Sequence, residues 1–269
     1  MAEQVDVPRI GVFDSGIGGL GILKEISRFL SEKELFYIAD QAYCPYGNRT
    51  SEEIKKRCFF IVEELLKKKV DMVVIACNTA TVTALPFLRK KFSIPIMGIE
   101  PRVDYARENN LGEESSLLVL TTPVTGKSSR FFQLKKKVDP QGKIDHLNCP
   151  NLARIVENFF ENSSRGELYG EVEKEFISLK GKKYTHVILG CTHYEHIPFA
   201  ISDILKAQTV GSGEKVAAEV AAWVERSFPS ISNRKLTEEE NKKQKFLYMT
   251  TVKGDWVKRD MRSWMDKIS

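Results

Sequence analysis

Residues 71–80 read DMVVIACNTA. Met72 to Ile75 form an apolar run that passes through the small Ala76 into Cys77, Asn78 and Thr79. A short β-branched run ending in polar residues predicts a buried strand of a parallel sheet. The carboxyl ends of such strands are where open α/β sheets place ligands. A second copy, THVILGCTHY, stands 114 residues further on at 185–194. There Val187, Ile188 and Leu189 lead through Gly190 to Cys191, Thr192 and His193. Two strands thus deliver one thiol each in the same local setting.

Outward from these strands the chain alternates strand and helix. RIGVF (9–13) predicts a first strand, followed by the glycine-rich turn DSGIGGLG and an amphipathic helix carrying Leu20, Leu23, Ile26 and Leu30. ELFYIAD (34–40) is a second strand, and QAYCPYGNRT a loop with turns at Pro45 and Gly47. Thr50 and Glu53 form a capping box for a helix through Lys69, with Ile54, Ile61, Leu65 and Leu66 at helical spacing. After the Cys77 strand a helix runs to about Lys91, with a kink or late start expected from its TVT and Pro86. IPIMGI (94–99) makes a fourth strand, and four such repeats predict a parallel sheet covered on both faces.

Residues 107–116 are polar and read as a crossover. LLVLTTPVTG (117–126) then repeats the layout of the first strand and turn at an offset of about 108, close to the 114 of the cysteine strands. The agreement points to internal duplication. Helices are expected at 150–162, 166–180 and 213–228, a polar loop at SISNRKLTEEENKKQK, a late strand at FLYMTTV and a closing helix at WVKRDMRSWM. A late strand after a duplicated core is expected to return to the first lobe.

The 269 residues are 42% hydrophobic and carry a net charge of +5 from 41 basic and 36 acidic side chains. That balance does not imply nucleic acid, and the basic runs Lys67–Lys69, Lys135–Lys137 and Lys242–Lys245 lack interleaved aromatics. No apolar run approaches the ~20 residues of a membrane helix. The amino terminus lacks a signal-peptide layout, so a cytoplasmic location is expected. The cysteines are Cys44, Cys58, Cys77, Cys149 and Cys191, an odd number without a C-x-x-C pair. Free thiols are the reading, either buried as small apolar groups or reactive.

A lone buried cysteine is usually inert packing, but two matched ones, each opening a helix, ask for a reaction that uses both. A helix amino terminus and a nearby cation both lower a thiol pKa from about 8.5 toward neutrality. Acyl transfer needs one nucleophile, and zinc wants three or four ligands where two thiols and His193 are in view. Inverting a stereocentre fits better, because one base removes a proton from one face while an acid returns one to the other. The rival is dinucleotide binding, with Gly16, Gly18 and Gly21 as G-x-G-x-x-G and Asp40 as the ribose acid. Asp14 and Ser15 argue against it by placing a carboxylate where a pyrophosphate would sit. His193 can orient or charge-pair with Cys191, or be an exposed loop residue; His196 is expected at the surface. Tyr46 and Gly47 offer a hydroxyl and an N–H to a carboxylate, or simply make a turn. Thr121, Thr122 and Thr125 form a hydroxyl cluster with the same two readings.

GVFDSGIGGL, CPYGNRT, VIACNTA, PIMGIEP and GCTHYEHIP, in this order, closely resemble the glutamate racemases, cofactor-independent enzymes that supply D-glutamate for bacterial peptidoglycan. The resemblance implies two pseudo-symmetric α/β lobes of mainly parallel sheets flanked by helices, with the active site in the cleft. Residues 1–100 plus 211–269 would form one lobe and 101–210 the other, usually within a homodimer. It implies Cys77 and Cys191 as the acid/base thiols, Asp14 assisting Cys77, His193 assisting Cys191, and Glu157 as a second-lobe acid. Ser15, Tyr46, Gly47, Asn78, Thr79, Thr122 and Thr192, with Asp14 and His193, would hold glutamate, without metal or cofactor. Glu195, where the family tends to have proline, and TVGSGE, where it tends to have an acid, depart from the pattern. Aspartate racemases share the paired cysteines, so substrate identity rests on the surrounding motifs.

Overall fold

A computed structural model describes residues 7–30, 33–112, 114–161, 164–229, 245–252 and 255–259. Its first half alternates β1 (Arg9–Asp14), α1 (Gly19–Phe29), β2 (Glu34–Ala39), α2 (Ser51–Leu66), β3 (Met72–Ile75), α3 (Asn78–Lys91) and β4 (Ile96–Gly98). A helical turn, α4 (Tyr105–Glu108), leads into β5 (Leu117–Thr121), α5 (Pro123–Gly126), α6 (Ser129–Val138), β6 (Asp145–Asn148), α7 (Leu152–Glu161) and α8 (Arg165–Glu175). Then come β7 (His186–Gly190), α9 (Pro198–Leu205), β8 (Gln208–Val210), α10 (Gly213–Ser227), β9 (Lys245–Val252) and β10 (Asp255–Arg259).

The duplication is visible in the strand order. β2-β1-β3-β4 pair in parallel in one sheet, and β6-β5-β7-β8 pair in parallel in the other. Each sheet starts in its centre, steps to one side, and crosses back. Cys77 follows β3 and Cys191 follows β7, the equivalent strand of the second sheet. All four residues of β3 are buried, as a strand covered on both faces requires. β9 lies parallel to β2 on the outer side of the first sheet, so the chain does return to it.

Helices cover these sheets with the faces their spacing predicts. α1 buries Leu20, Leu23 and Ile26 and packs on α10, which buries Val216, Ala217, Val220 and Val224. One apolar cluster runs from Ile10 and Val74 of the first sheet to Leu118 and Leu189 of the second. The two halves therefore share part of their core. α2 starts at the expected capping box, with Glu53 N–H on Thr50 Oγ1 and Thr50 N–H on Glu53 Oε2. No helix among the described residues is long and apolar enough to cross a membrane.

Several expectations are corrected. α3 does not start late, because Cys77 caps it directly by accepting the Ala80 N–H, and it contains Pro86 within its span Asn78–Lys91. Helix α8 ends at Glu175 and gives way to a 3-10 turn at Ile177–Leu179. Residues 256–259 of the expected closing helix belong instead to β10, antiparallel to β9. The remainder of that segment and the polar loop at 230–244 lie outside the described residues. Strands β6 and β8 and helices α6 and α9 were not anticipated; β6 and β8, four and three residues long, have too few positions for a period to show.

Candidate active site

The carboxyl ends of β1, β3 and β7 meet around Asp14. This carboxylate is fully buried, accepts the Gly16 N–H at 2.8 Å on Oδ1, and accepts the Thr192 hydroxyl at 2.9 Å on Oδ2. Thr192 follows Cys191, so the turn after β1 is tied directly to the second cysteine strand. Burial pushes the Asp14 carboxyl up to about 6, although the His193 charge, the Gly16 N–H and the Thr192 hydroxyl all pull it down.

Cys77 is buried, with Ser15 Oγ 4.0 Å from its sulfur and Ala80 N–H on it at 3.4 Å. Burial, and after it the Asp14 carboxylate, push this thiol well up against the pull of the Ala80 N–H and of His193. The expectation that a helix amino terminus would lower it is therefore overturned: desolvation outweighs one N–H. Burial thus favours the protonated form of Cys77. Cys191 differs locally. It is followed by a 3-10 turn, Thr192–His196, and α9 begins only at Pro198. The sequence expectation that both cysteines open a helix holds for Cys77 alone.

His193 takes the helix's place beside Cys191, its Nδ1 3.9 Å from that sulfur. Its Nε2 lies 2.7 Å from Glu157 Oε1, which also accepts the Ile17 N–H at 2.9 Å. Burial opposes a charge on His193, but its hydrogen bonds to Cys191, Cys44 and Glu157 and the Asp14 carboxylate win, holding it well above its usual value. Glu157 is likewise held below the usual carboxylate range because His193 and Ile17 outweigh burial. The pair is an imidazolium and a carboxylate, and His193 is not an exposed loop residue.

These contacts overturn the dinucleotide reading. A Cβ on Gly16 would stand 1.9 Å from Glu157 Oε1, and one on Gly18 2.5 Å from His193 Nδ1 and 2.7 Å from Thr192 Oγ1. The glycines admit side chains from the second half of the chain, which fill the space a pyrophosphate would need. Asp40 is buried and its oxygens accept from Arg57 at 2.7 and 2.9 Å, the Tyr46 hydroxyl at 2.6 Å and Thr251 at 3.0 Å. No oxygen of it is left for a ribose.

Other predicted residues divide. The Tyr46 hydroxyl is spent on Asp40 and shapes the loop rather than offering itself to a ligand. Gly47 abuts Thr122, whose Cβ lies 3.2 Å from where a Cβ would stand. Thr79 and Thr122 hydroxyls lie 2.9 Å apart across the two halves, with Thr125 within 3.4 Å of Thr79 and 3.1 Å of Thr122; Thr121 turns to His146 and Asn148 instead. Asn78 is 2% exposed, and its Nδ2 is a buried donor without a protein partner among the described residues. Such a donor costs about 1–3 kcal/mol unless something accepts from it.

Two residues read otherwise or missed by the sequence belong here. His196, expected at the surface, aims Nε2 at the Ile17 and Gly18 carbonyls at 3.0 and 3.1 Å, and burial pushes its pKa down to about 4. It therefore acts as a neutral donor clamping the glycine turn. Cys44 places its sulfur 3.4 Å from Glu157 Oε1, 3.8 Å from His193 Nε2 and 4.0 Å from Ser15 Oγ. Its only signal was its position in CPYG, beside two residues already singled out. The departures at Glu195 and TVGSGE meet each other: Glu195 Oε1 accepts the Ser212 N–H at 2.8 Å at the start of α10.

With this geometry in hand the relatives are informative. Residues 3–221 match the family described as Asp/Glu/Hydantoin racemase. The chain is 42% identical over 199 residues to a glutamate racemase of Clostridium kluyveri, covering 73% of this chain and 75% of the relative. It superposes on a Bacillus anthracis glutamate racemase isoform with a TM-score of 0.73 and 28% identity, over 90% of this chain and 87% of that one. Escherichia coli glutamate racemase, solved with L-glutamate and an activator, gives a TM-score of 0.76 and 25% identity, over 93% and 91% of the two chains. Paired strand-end thiols in duplicated sheets and a match over most of the length lead to one conclusion: the chain belongs to the Asp/Glu/Hydantoin racemase family.

Proposed function

We propose that the chain interconverts L- and D-glutamate by two-base proton transfer at Cα. The observation that carries this reading is the pairing of Cys77 and Cys191 on equivalent strands of duplicated sheets, bridged by Asp14 and Thr192. Enantiomers have equal free energy, so the enzyme must run both ways, and each thiol must serve as base in one direction and acid in the other. Cys77, held as a thiol, delivers a proton to one face, and Asp14 takes up or returns the proton of that sulfur. His193 exchanges protons with Cys191 through Nδ1 while Glu157 steadies its charge through Nε2. The Asn78 amide and the Thr79, Thr122 and Ser15 hydroxyls hold the substrate's charged groups. Fixed donors of this kind stabilise charge that develops on the carboxylate as the proton leaves.

Residues 1–100 plus 211–269 act as one lobe and 101–210 as the other, a division supported by β9 returning to β2 and by the strand order of the second sheet. Family membership supports a homodimer working in the cytoplasm, with D-glutamate passing to peptidoglycan. Incubation with L-glutamate in deuterated water, without added cofactor, is expected to wash deuterium into Cα as racemisation proceeds. Cys77→Ser and Cys191→Ser are each expected to lower kcat by about 10²–10⁴-fold. Full activity in either variant removes that residue from the reaction, and exchange with aspartate but not glutamate reassigns the substrate.

A further inference from the structure

The proton-transfer scheme leaves Cys44 without a task, although its sulfur touches the two residues that steady Cys191. We propose that Cys44, Glu157 and His193 form a binding site for a thiophilic divalent cation of the Zn2+ class, and that its occupancy and turnover exclude one another. The second half of this statement rests on the racemase reading above; the first does not.

The argument begins with geometry. Sγ, Oε1 and Nε2 of the three residues all lie within 4.8 Å of one another. Metal bonds of about 2.3 Å to sulfur and 2.0–2.1 Å to nitrogen and oxygen place tetrahedral donors about 3.3–3.6 Å apart. The Cys44 sulfur stands 3.4 Å from Glu157 Oε1, within that range, and 3.8 Å from His193 Nε2, about 0.2 Å beyond it. Only the edge between Nε2 and Oε1, at 2.7 Å, must open, and it does so by exchanging a hydrogen bond for two metal bonds.

Chemistry selects the ion. One thiolate, one imidazole and one carboxylate favour zinc or cobalt over magnesium or calcium, which prefer oxygen alone. A thiolate and a carboxylate together cancel the charge of a divalent cation in a buried place. Three protein donors leave a fourth position to solvent. Gly16 makes the approach possible, since a Cβ there would stand 1.9 Å from the Glu157 oxygen and 2.8 Å from the Cys44 sulfur.

Binding moves protons in a defined way. The Cys44 thiol loses its proton to solvent as the sulfur–metal bond forms, and His193 loses the proton on Nε2 while keeping the one on Nδ1 toward Cys191. Among the described residues Asp14, Cys77, Cys191 and His196 are the other titratable groups facing His193. An occupied site leaves His193 neutral, with Glu157 turned to the metal, and so withdraws both from the proton exchange at Cys191.

Cobalt is the probe, because a thiolate ligand gives an intense near-ultraviolet charge-transfer band and tetrahedral coordination gives visible bands. The wild-type protein is expected to bind one equivalent with both signatures. Cys44→Ala is expected to lose the charge-transfer band and weaken binding at least tenfold, whereas Cys77→Ala keeps both. Cys44→Ser, with near-ultraviolet dichroism as the check on folding, is expected to repeat the loss. Zinc is expected to stop glutamate turnover and a chelator to restore it, each variant being read against its own metal-free rate. No stoichiometric binding, or a band that survives loss of Cys44 and disappears with Cys77 or Cys191, overturns the site. Full turnover with the ion bound overturns the exclusion. Cobalt bound through Cys44 in a protein that fails to racemise glutamate would uphold the site and sink only the racemase reading.

Discussion

Asp14 Oδ2 accepts the hydroxyl of Thr192 at 2.9 Å, joining the end of the first strand to the residue that follows Cys191. A group so placed can influence the proton inventory on both sides of a bound amino acid. The equilibrium constant between enantiomers is unity, so kcat/KM must be equal in the two directions for any variant. Asp14→Asn keeps the hydrogen-bonding shape but cannot hold a negative charge. It is expected to lower kcat/KM by about 10²-fold equally for L- and D-glutamate. Asymmetry is allowed only in kcat and KM taken separately, and polarimetry from both enantiomers reads all three.

The pH profile carries the same residue's signature. Asp14 is raised to about 6 by burial, so it is neutral in acid and charged above that point. Wild-type kcat/KM is expected to climb as pH rises through about 6, and Asp14→Asn is expected to lack that limb. The folded state binds this proton more tightly than the unfolded chain does. Asp14 therefore contributes stability that declines as pH rises from the ordinary aspartate value of 3.8 to about 6.

The buried Asp40 offers a test of what supports the CPYG loop. Arg57 grips both its oxygens, at 2.7 and 2.9 Å, while Tyr46 and Thr251 complete its partners. Removing one member of such a pair leaves a charge buried, at a cost of roughly 3–5 kcal/mol. Arg57→Ala is expected to lose stability on that scale in urea titrations, and Asp40→Asn in the same chain to recover part of it. An Arg57→Ala protein as stable as wild type would show that Asp40 does not depend on its charge partner.

Glu195 makes a prediction of opposite character, since no substrate is involved. Burial raises its carboxyl to about 7, against the N–H groups of Ser212 and Gly213 that pull it down. A carboxyl whose folded value lies above the unfolded one loses stability for the protein as pH rises from about 4.5 to 7. Glu195→Gln removes that dependence. The melting temperature of the variant relative to wild type is expected to improve between pH 5 and pH 8, and a constant difference would rule the titration out.

Much of the chain was legible because its signals are local. The Thr50–Glu53 box, the helical spacing of Leu20, Leu23 and Ile26, and the apolar runs at Met72–Ile75 and Val187–Leu189 each depend on neighbours within a turn or a strand. The short strands β6 and β8 were not legible, since four and three residues are too few for a period to show, and β10 was read as part of a helix although it pairs with β9 immediately before it.

The sequence by itself determined the duplication, the two strand-end thiols and their family, because repeats and motifs survive in one dimension. Only the tertiary structure decided what each group does. It spent Asp40 and the Tyr46 hydroxyl on each other, buried His196 against the glycine turn, and set Cys44 beside His193 and Glu157. It also let burial outweigh the downward pull of the helix end on Cys77, which the Ala80 N–H does exert. The reason is physical: proton affinity and ligand capacity depend on desolvation and on charges a few ångströms away, and those neighbours come from residues more than a hundred positions apart.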